Sequence, residues 1–332
     1  MKIALDAMGG DYGPTACVEG AADFIKTSDA VVQLVGDPQI LEPLVSEYGH
    51  HQLEVVPAWE VIDMHEHPVQ AVRHKSDSSM VVAARQIKQG LADAFVSAGN
   101  TGAAMTAAFI HMGRIPGIER PAIVSPLPVI DGETILLDVG ANVDCRPRHL
   151  LQFAGMGRAY MQKVRDIPEP SVALLNIGAE SSKGNELTTK AYQMLSESGL
   201  NFVGNIEGRQ VFSGQVNVIV SDGFVGNAVL KVSEGLAGLI LGVLWNELVS
   251  KQTDTGEDSA AKKVFDKLRH ILDYTEYGGA PLLGVDGVAI ICHGSSNALA
   301  VCNALKVAEN AVAKGLRNSI LDTVNKLGGD KS

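Results

Sequence analysis

Ala94-Phe95-Val96-Ser97-Ala98-Gly99-Asn100-Thr101-Gly102-Ala103-Ala104 passes from an apolar run through small residues into a helix-favouring stretch. Val218-Ile219-Val220-Ser221-Asp222-Gly223-Phe224-Val225-Gly226-Asn227-Ala228 repeats that grammar. Both read as a strand, then S-x-G-x-x-G-x-A, then a helix. Either four small residues coincide by chance in a glycine-rich chain, or two related halves present equivalent loops to one cleft. Outward from these points the alternation continues. Strands are expected near 2–6, 31–36, 53–57, 94–97, 122–127, 133–138, 171–177, 202–206, 216–220 and 288–292. Helices are expected at 14–26, with Pro14 in the first turn, at 79–90 after the cap-rich Ser76-Asp77-Ser78-Ser79, and at 102–112, 149–165, 185–198 and 295–314. Alternating βα units imply a largely parallel sheet covered on both faces. Ligands of such sheets sit at the carboxyl ends of the strands, on the loops leading to the helices.

Residues 223–277 depart from this rhythm. The stretch 236–249 is apolar nearly all round, whereas 261–274 is amphipathic, with Val264, Phe265, Leu268, Ile271 and Leu272 on one face. A polar connection at 250–259 joins them. The pattern predicts a helical hairpin over 223–277, and its all-round apolar helix is expected either in a two-fold subunit interface or as an ordinary core helix.

Composition narrows the class. The chain has 332 residues, 46% of them hydrophobic, which excludes disorder and suffices for a sizeable core. Its 27 Lys and Arg against 38 Asp and Glu leave a net charge of −11, which disfavours a general nucleic-acid binder. Glycine is enriched: 35 of 332 residues, above the usual share of about 7%. Cys17, Cys145, Cys292 and Cys302 are scattered without a C-x-x-C pair, and a reduced, cytoplasmic setting is expected. No run of about 18 apolar residues is evident; the longest candidate, 236–245, is half that length.

The glycines gather at strand ends. Asp6-Ala7-Met8-Gly9-Gly10-Asp11 follows the first strand, where glycines let backbone amides approach an anion. G-x-G-x-x-G is absent, so a dinucleotide fingerprint is weak. Gly99-Asn100-Thr101-Gly102, Asp138-Val139-Gly140-Ala141-Asn142 and Asn176-Ile177-Gly178 set amides and hydroxyls beside glycines, as neutral donors for an oxyanion or a phosphate. Lys183-Gly184-Asn185-Glu186 adds a cation at a helix start, with a plain surface lysine as the alternative, and Arg209 follows the strand at 202–206. His293-Gly294-Ser295-Ser296-Asn297 follows a buried strand; Ser295 is a candidate helix cap and His293 the best single candidate for proton transfer, against a structural histidine. His65-Glu66-His67 lacks a further clustered ligand and reads as a solvated loop; no metal site is expected.

In order along residues 1 to about 310, DAMGGD at 6–11, SAGNTGA at 97–103, LLDVGAN at 136–142, NIGAESSKGNE at 176–186, GNIEGR at 204–209, SDGFVGN at 221–227, YGG at 277–279 and HGSSN at 293–297 resemble the bacterial phosphate acyltransferases of phospholipid synthesis, the acyl-carrier-protein:phosphate transacylases. The resemblance implies a three-layer α/β/α fold with one mixed, mostly parallel sheet, similar to isocitrate and isopropylmalate dehydrogenases, plus a protruding helical hairpin. It implies one α/β unit over 1–332, made of two intertwined halves around a cleft, with the hairpin 223–277 in a dimer interface. The implied reaction takes a long-chain acyl thioester on acyl carrier protein and inorganic phosphate to acyl phosphate, which feeds glycerol 3-phosphate acylation by a membrane acyltransferase. No cofactor is implied. The alternative is an NAD(P)-dependent dehydrogenase of the related fold.

On that reading His293, Lys183, Asn185, Asp222 and Asn227 are the catalytic candidates. Asp6, Gly9, Gly10, Gly99, Asn100, Thr101, Gly102, Asn142, Arg209, Gly294 and Ser295 are the candidates for binding substrate or phosphate. Docking of an acidic carrier protein asks for basic surface, found at Lys262, Lys263, Lys267 and Arg269 and again at Arg146, Arg148 and Arg158. Members of the family associate with membranes through the hairpin tip. Here residues 250–259 are polar and acidic, which leaves a weak peripheral contact at the inner membrane face as the expectation, and no contact with nucleic acid.

Overall fold

The computed structural model describes residues 1–249, 260–272 and 278–328. In chain order the strands and helices are β1 (Lys2–Asp6), α1 (Gly13–Ile25), β2 (Val31–Gly36), α2 (Pro38–Ser46), β3 (Leu53–Pro57), α3 (Pro68–His74), α4 (Ser79–Lys88), β4 (Ala94–Ser97), α5 (Thr101–Ala107), β5 (Ala122–Leu127), β6 (Thr134–Leu137), α6 (Pro147–Val164), β7 (Val172–Asn176), α7 (Glu186–Ser196), β8 (Phe202–Glu207), β9 (Val218–Val220), α8 (Gly223–Leu244), α9 (Ala260–Leu272), β10 (Ala280–Leu283), β11 (Val288–Ile291), α10 (Ala298–Ala313) and α11 (Leu316–Gly328). A π-helical turn, Ala108–Met112, continues α5, and another, Trp245–Val249, continues α8.

One eleven-stranded sheet runs β3-β2-β1-β4-β11-β10-β5-β6-β9-β7-β8. Strands β3, β2, β1, β4 and β11 are mutually parallel, as are β6, β9, β7 and β8, and the antiparallel ladders of β10 with β11, β10 with β5, and β5 with β6 join the two sets. Alternation along each strand sends successive side chains to opposite faces. Ile3, Leu5, Val96, Leu137 and Leu174 enter the core beneath α1, α6 and α10. Ala4, Phe95, Leu136 and Ala173 enter a second core, with residues of α3, α4 and α5. Two cores on either side of one mixed sheet give the expected three layers.

Four elements escape the sequence reading. β10 is short and contains Pro281 behind Gly278-Gly279, which reads as a loop. α2 and α3 both begin at a proline, and Asp37 caps α2 by accepting from the Gln39 amide. α11 follows Gly315, whose φ of +65° breaks an otherwise continuous helical pattern. Ser295 does not cap the last long helix pair either: α10 starts at Ala298, and Asn297 accepts from Ala300 N.

α8 and α9 pack together, with Trp245 and Phe265 edge to face at 5.0 Å. The expected hairpin tip, 250–259, and Tyr277 lie outside the described residues. The apolar stretch here is longer than the sequence count suggests. Gly223–Glu247 forms one helical run of 25 residues in which an 18-residue window reaches mean hydropathy 1.6, long and apolar enough by length and composition to cross a membrane, because glycines, alanines and few charges interrupt the apolar count. On a single chain much of it faces outward: Phe224, Leu239 and Val243 are each more than half exposed.

Candidate functional site

In the first half the site is built on Asp6, the last residue of β1. Its side chain is buried and accepts from Ser79 Oγ at 2.6 Å and Ser97 Oγ at 2.7 Å. Burial pushes its carboxyl above the usual range, opposed by those hydroxyls and by the amides of Met8 and Gly9. The carboxylate thus ties β1, β4 and α4 together under the glycine loop. A Cβ on Gly9 would lie 2.7 Å from Gly99 Cα, so the two loops touch backbone to backbone, which only glycine permits. Asp11 N donates to Gly294 O at 2.7 Å, which draws the loop after β11 into the same cluster. Asn100 is committed to this framework: its Oδ1 accepts from Ala103 N, and its Nδ2 donates to Met64 O and Glu66 O.

The second half repeats the device with Asp138, which belongs to the strand-end motif 138–142 but not to the candidate site residues. Asp138 directly follows β6 and is fully buried. Oδ1 accepts from Ile123 N (3.0 Å) and Ala141 N (3.1 Å), and Oδ2 from Asn142 N (2.6 Å) and Asn142 Nδ2 (2.9 Å). Burial again raises the carboxyl, against these four donors. A Cβ on Gly223 would sit 2.8 Å from Asp138 Oδ2, just as one on Gly99 would sit 3.2 Å from Asp6 Oδ2. Each S-x-G loop therefore leans on the carboxylate ending the neighbouring parallel strand. The signal lies in the sequence: both carboxylates directly follow three-residue apolar runs, in IALD at 3–6 and ILLD at 135–138. The two carboxylates differ in their donors. Ser79 and Ser97 donate to Asp6, whereas the buried Oγ of Ser221, the counterpart of Ser97, has no hydrogen-bond partner among the described residues.

A cavity of about 1000 Å³ is lined from both loop clusters, by Thr101 and His293 of one and by Val139 and Asn227 of the other. Ser296 also lines it, with apolar Ile123, Leu127, Phe212, Leu236 and Ile240 and with Lys231, Ser233 and Glu234 of α8. Ser295 N donates to His293 Nδ1 at 3.2 Å, and Ser295 Oγ lies 2.7 Å from the same nitrogen. Nδ1 is therefore an acceptor, and the neutral ring carries its proton on Nε2. Cys292, beside it, is buried with its thiol pushed up to about 12, which keeps it protonated and unreactive.

A family model described as a fatty acid synthesis protein matches residues 1–318. A phosphate acyltransferase of Desulforamulus reducens is 50% identical over 325 residues, covering 98% of this chain and 97% of the relative. This chain belongs to the phosphate acyltransferase family. Phosphate acyl transfer is accordingly its class of activity. Among solved structures, a phosphotransacetylase from Streptococcus pyogenes superposes with TM-score 0.64 at 17% identity, covering 94% of each chain. A 4-hydroxythreonine-4-phosphate dehydrogenase from Klebsiella pneumoniae does so with TM-score 0.54 at 12% identity, covering 93% of this chain and 99% of the other. At these identities the likeness is one of fold.

For a phosphate acyltransferase the expected residues sort into three groups. Thr101, Asn227 and His293 face the cavity, and Gly9, Gly10, Gly99, Gly102 and Gly294 form the packed loops beside it. Asp6, Asn100 and Asn142 are buried framework, and Asp222 is the N-cap of α8, accepting from Val225 N at 2.9 Å. Lys183, Asn185 and Arg209 stand outside the cavity lining. Asn185 caps α7 through Thr188 N, and exposed Arg209 pairs with Glu207 at 3.2 Å, although its neighbour Gly208 lines the cavity.

Proposed function

We propose that the chain transfers a long-chain acyl group from the thioester of acyl carrier protein to inorganic phosphate, giving acyl phosphate and the free carrier thiol. The observation that carries this reading is one cavity that Thr101, Asn227, His293 and Ser296 share with a larger, mainly apolar wall. A phosphate oxygen attacks the thioester carbonyl, the C–O bond forms, and the C–S bond breaks. Phosphate is a competent nucleophile at neutral pH, so the protein has to orient it and stabilise the tetrahedral oxyanion. The Asn227 amide and Thr101 hydroxyl serve as neutral donors, with the backbone of Gly9-Gly10 and Gly99–Gly102 as the anion cradle. His293 Nε2–H hydrogen-bonds the departing thiolate and steadies its charge, and the thiolate takes up the proton that the attacking hydrogen phosphate loses as the C–O bond forms. Lys183 and Arg209, outside the lining, act on the phosphate dianion through their field.

The product is consumed by a membrane acyltransferase that acylates glycerol 3-phosphate, and the enzyme works in the cytoplasm at the inner membrane face without a cofactor. Its carrier protein, being acidic, docks on basic surface at Lys263 and Lys267 of α9 or at Arg146 and Arg158 near α6. The outward apolar face of α8 supports a homodimer built on the α8–α9 hairpin. Incubation with acyl carrier thioester and radiolabelled phosphate tests the reaction: labelled acyl phosphate and free carrier thiol should appear in equal amounts. Thiol release that does not depend on phosphate, or no labelled acyl phosphate with both substrates present, sinks the proposal.

A further inference from the structure

We infer that the apolar part of the cavity is a channel that holds the acyl chain and measures its length, an inference that rests on the acyl-transfer reading above. Its walls have a common origin. β5 begins at the site, where Ile123 N meets Asp138, and runs away from it to Leu127, which pairs with Thr134 at the far end of β6. α8 also begins at the site, where Gly223 N donates to Asn142 O at 2.8 Å, and runs outward. Asn227 and Ile240 both line the cavity and are 13 residues apart along α8, which spans about 20 Å of helix axis. That matches a long acyl chain laid out straight from a carbonyl held beside Asn227 and His293.

The walls suit hydrocarbon. Ile123, Ser125 and Leu127 alternate along β5 onto the cavity face. Polar side chains on the α8 wall are satisfied locally: Ser233 Oγ donates to Val229 O at 2.7 Å, and Lys231 pairs with Glu234 at 2.8 Å. A polar ligand would therefore find few partners beyond the site itself. The far end is bounded by Phe212 and Pro128; a Cβ on Gly214 would lie 3.6 Å from Val129 Cβ, so the loop carrying Phe212 packs on the turn between β5 and β6. Ala237, about three-quarters of the way along the α8 wall from Asn227 to Ile240, is the small residue at which the channel can be blocked without touching the reacting atoms.

The test compares octanoyl and palmitoyl thioesters in the parent, Ala237→Phe and Phe212→Ala. Ala237→Phe should lower kcat/KM for palmitoyl transfer by about tenfold or more while leaving octanoyl transfer near the parent rate, which also reports an intact fold. Phe212→Ala should move the preferred chain length upward. Equal losses on both substrates in Ala237→Phe, with Phe212→Ala unchanged in preference, would overturn the channel. Palmitate binding by calorimetry separates the two readings. Parent binding that Ala237→Phe abolishes keeps the channel even if no thioester yields acyl phosphate, whereas equal palmitate binding by both rejects it.

Discussion

Asp138 accepts two hydrogen bonds from Asn142, one from its backbone amide at 2.6 Å and one from its side-chain amide at 2.9 Å. Asn142 Nδ2 also donates to Pro121 O at 2.7 Å, so this one pair closes the loop after β6 onto the chain entering β5. The N-terminus of α8, and with it Asn227, rests on that loop through Gly223 N and Asn142 O.

Asp138→Asn should therefore weaken the fold as well as the site. The new amide NH₂ must face a backbone N–H, and buried donors lose a charged acceptor, at a cost of about 1.5–3 kcal/mol. The pH dependence carries a definite sign. Burial raises the Asp138 carboxyl in the folded state, so on acidification the folded chain takes up this proton before the unfolded chain does. The contribution of Asp138 to stability rises as pH falls from its raised folded value towards about 3.9, and is constant above the folded value. Denaturant melts of parent and variant between pH 7 and 4 should show the gap widening on acidification; a gap that narrows contradicts the assignment.

Gly9→Ala is expected to damage the anion cradle directly. Its Cβ would sit 2.7 Å from Gly99 Cα and 2.8 Å from Gly99 N, backbone atoms that cannot swing aside. Separation of the two loops should cost about 1–3 kcal/mol and, by misplacing the phosphate, about 10²-fold in kcat/KM for phosphate. Steady-state kinetics with varied phosphate would show it, and a variant with parental phosphate KM and kcat removes this loop from the site.

Both arguments rest on features that were unequally legible in the sequence. The βα alternation predicts ten of the strands and the paired S-x-G loops, because period-2 apolar runs closed by glycine carry a local signal. β10 was hidden by Pro281, and the outward exposure of α8 by an apolar pattern that a core helix shares. Site roles were harder to read than site positions. Asn100, Asn142 and Asn185 have the chemistry of ligand donors, yet each is committed to carbonyls, a carboxylate or a helix start, and only tertiary packing shows which amides are occupied. Asp138 stands in the strand-end motif 138–142, but its local sequence does not tell an organising acceptor from an ordinary turn residue; the four donors that converge on it are visible only in the fold.

Asn185 and Lys183, adjacent in one loop, should separate cleanly. Asn185→Ala removes the cap accepting from Thr188 N at 3.0 Å, at a cost of about 1 kcal/mol with turnover intact. Lys183→Ala leaves the fold unchanged and lowers kcat/KM for phosphate at low ionic strength, an effect that fades as salt screens the field. A Lys183 effect that persists undiminished in high salt would mean direct contact with phosphate instead.

His293 is the group whose role the leaving group itself can report. Its Nδ1 accepts from Ser295 N, so Nε2–H is the donor that hydrogen-bonds the leaving thiolate. An alkyl thiolate, with a thiol pKa of about 8.5 by analogy with cysteine, benefits from that proton in the transition state, whereas a more acidic aryl thiolate departs without it. His293→Ala should therefore lose about 10²-fold or more in kcat with an alkyl thioester and far less with an aryl thioester of the same acyl group. Equal losses on the two thioesters would assign His293 to holding phosphate or the oxyanion, and near-parental rates on both would remove it from the mechanism.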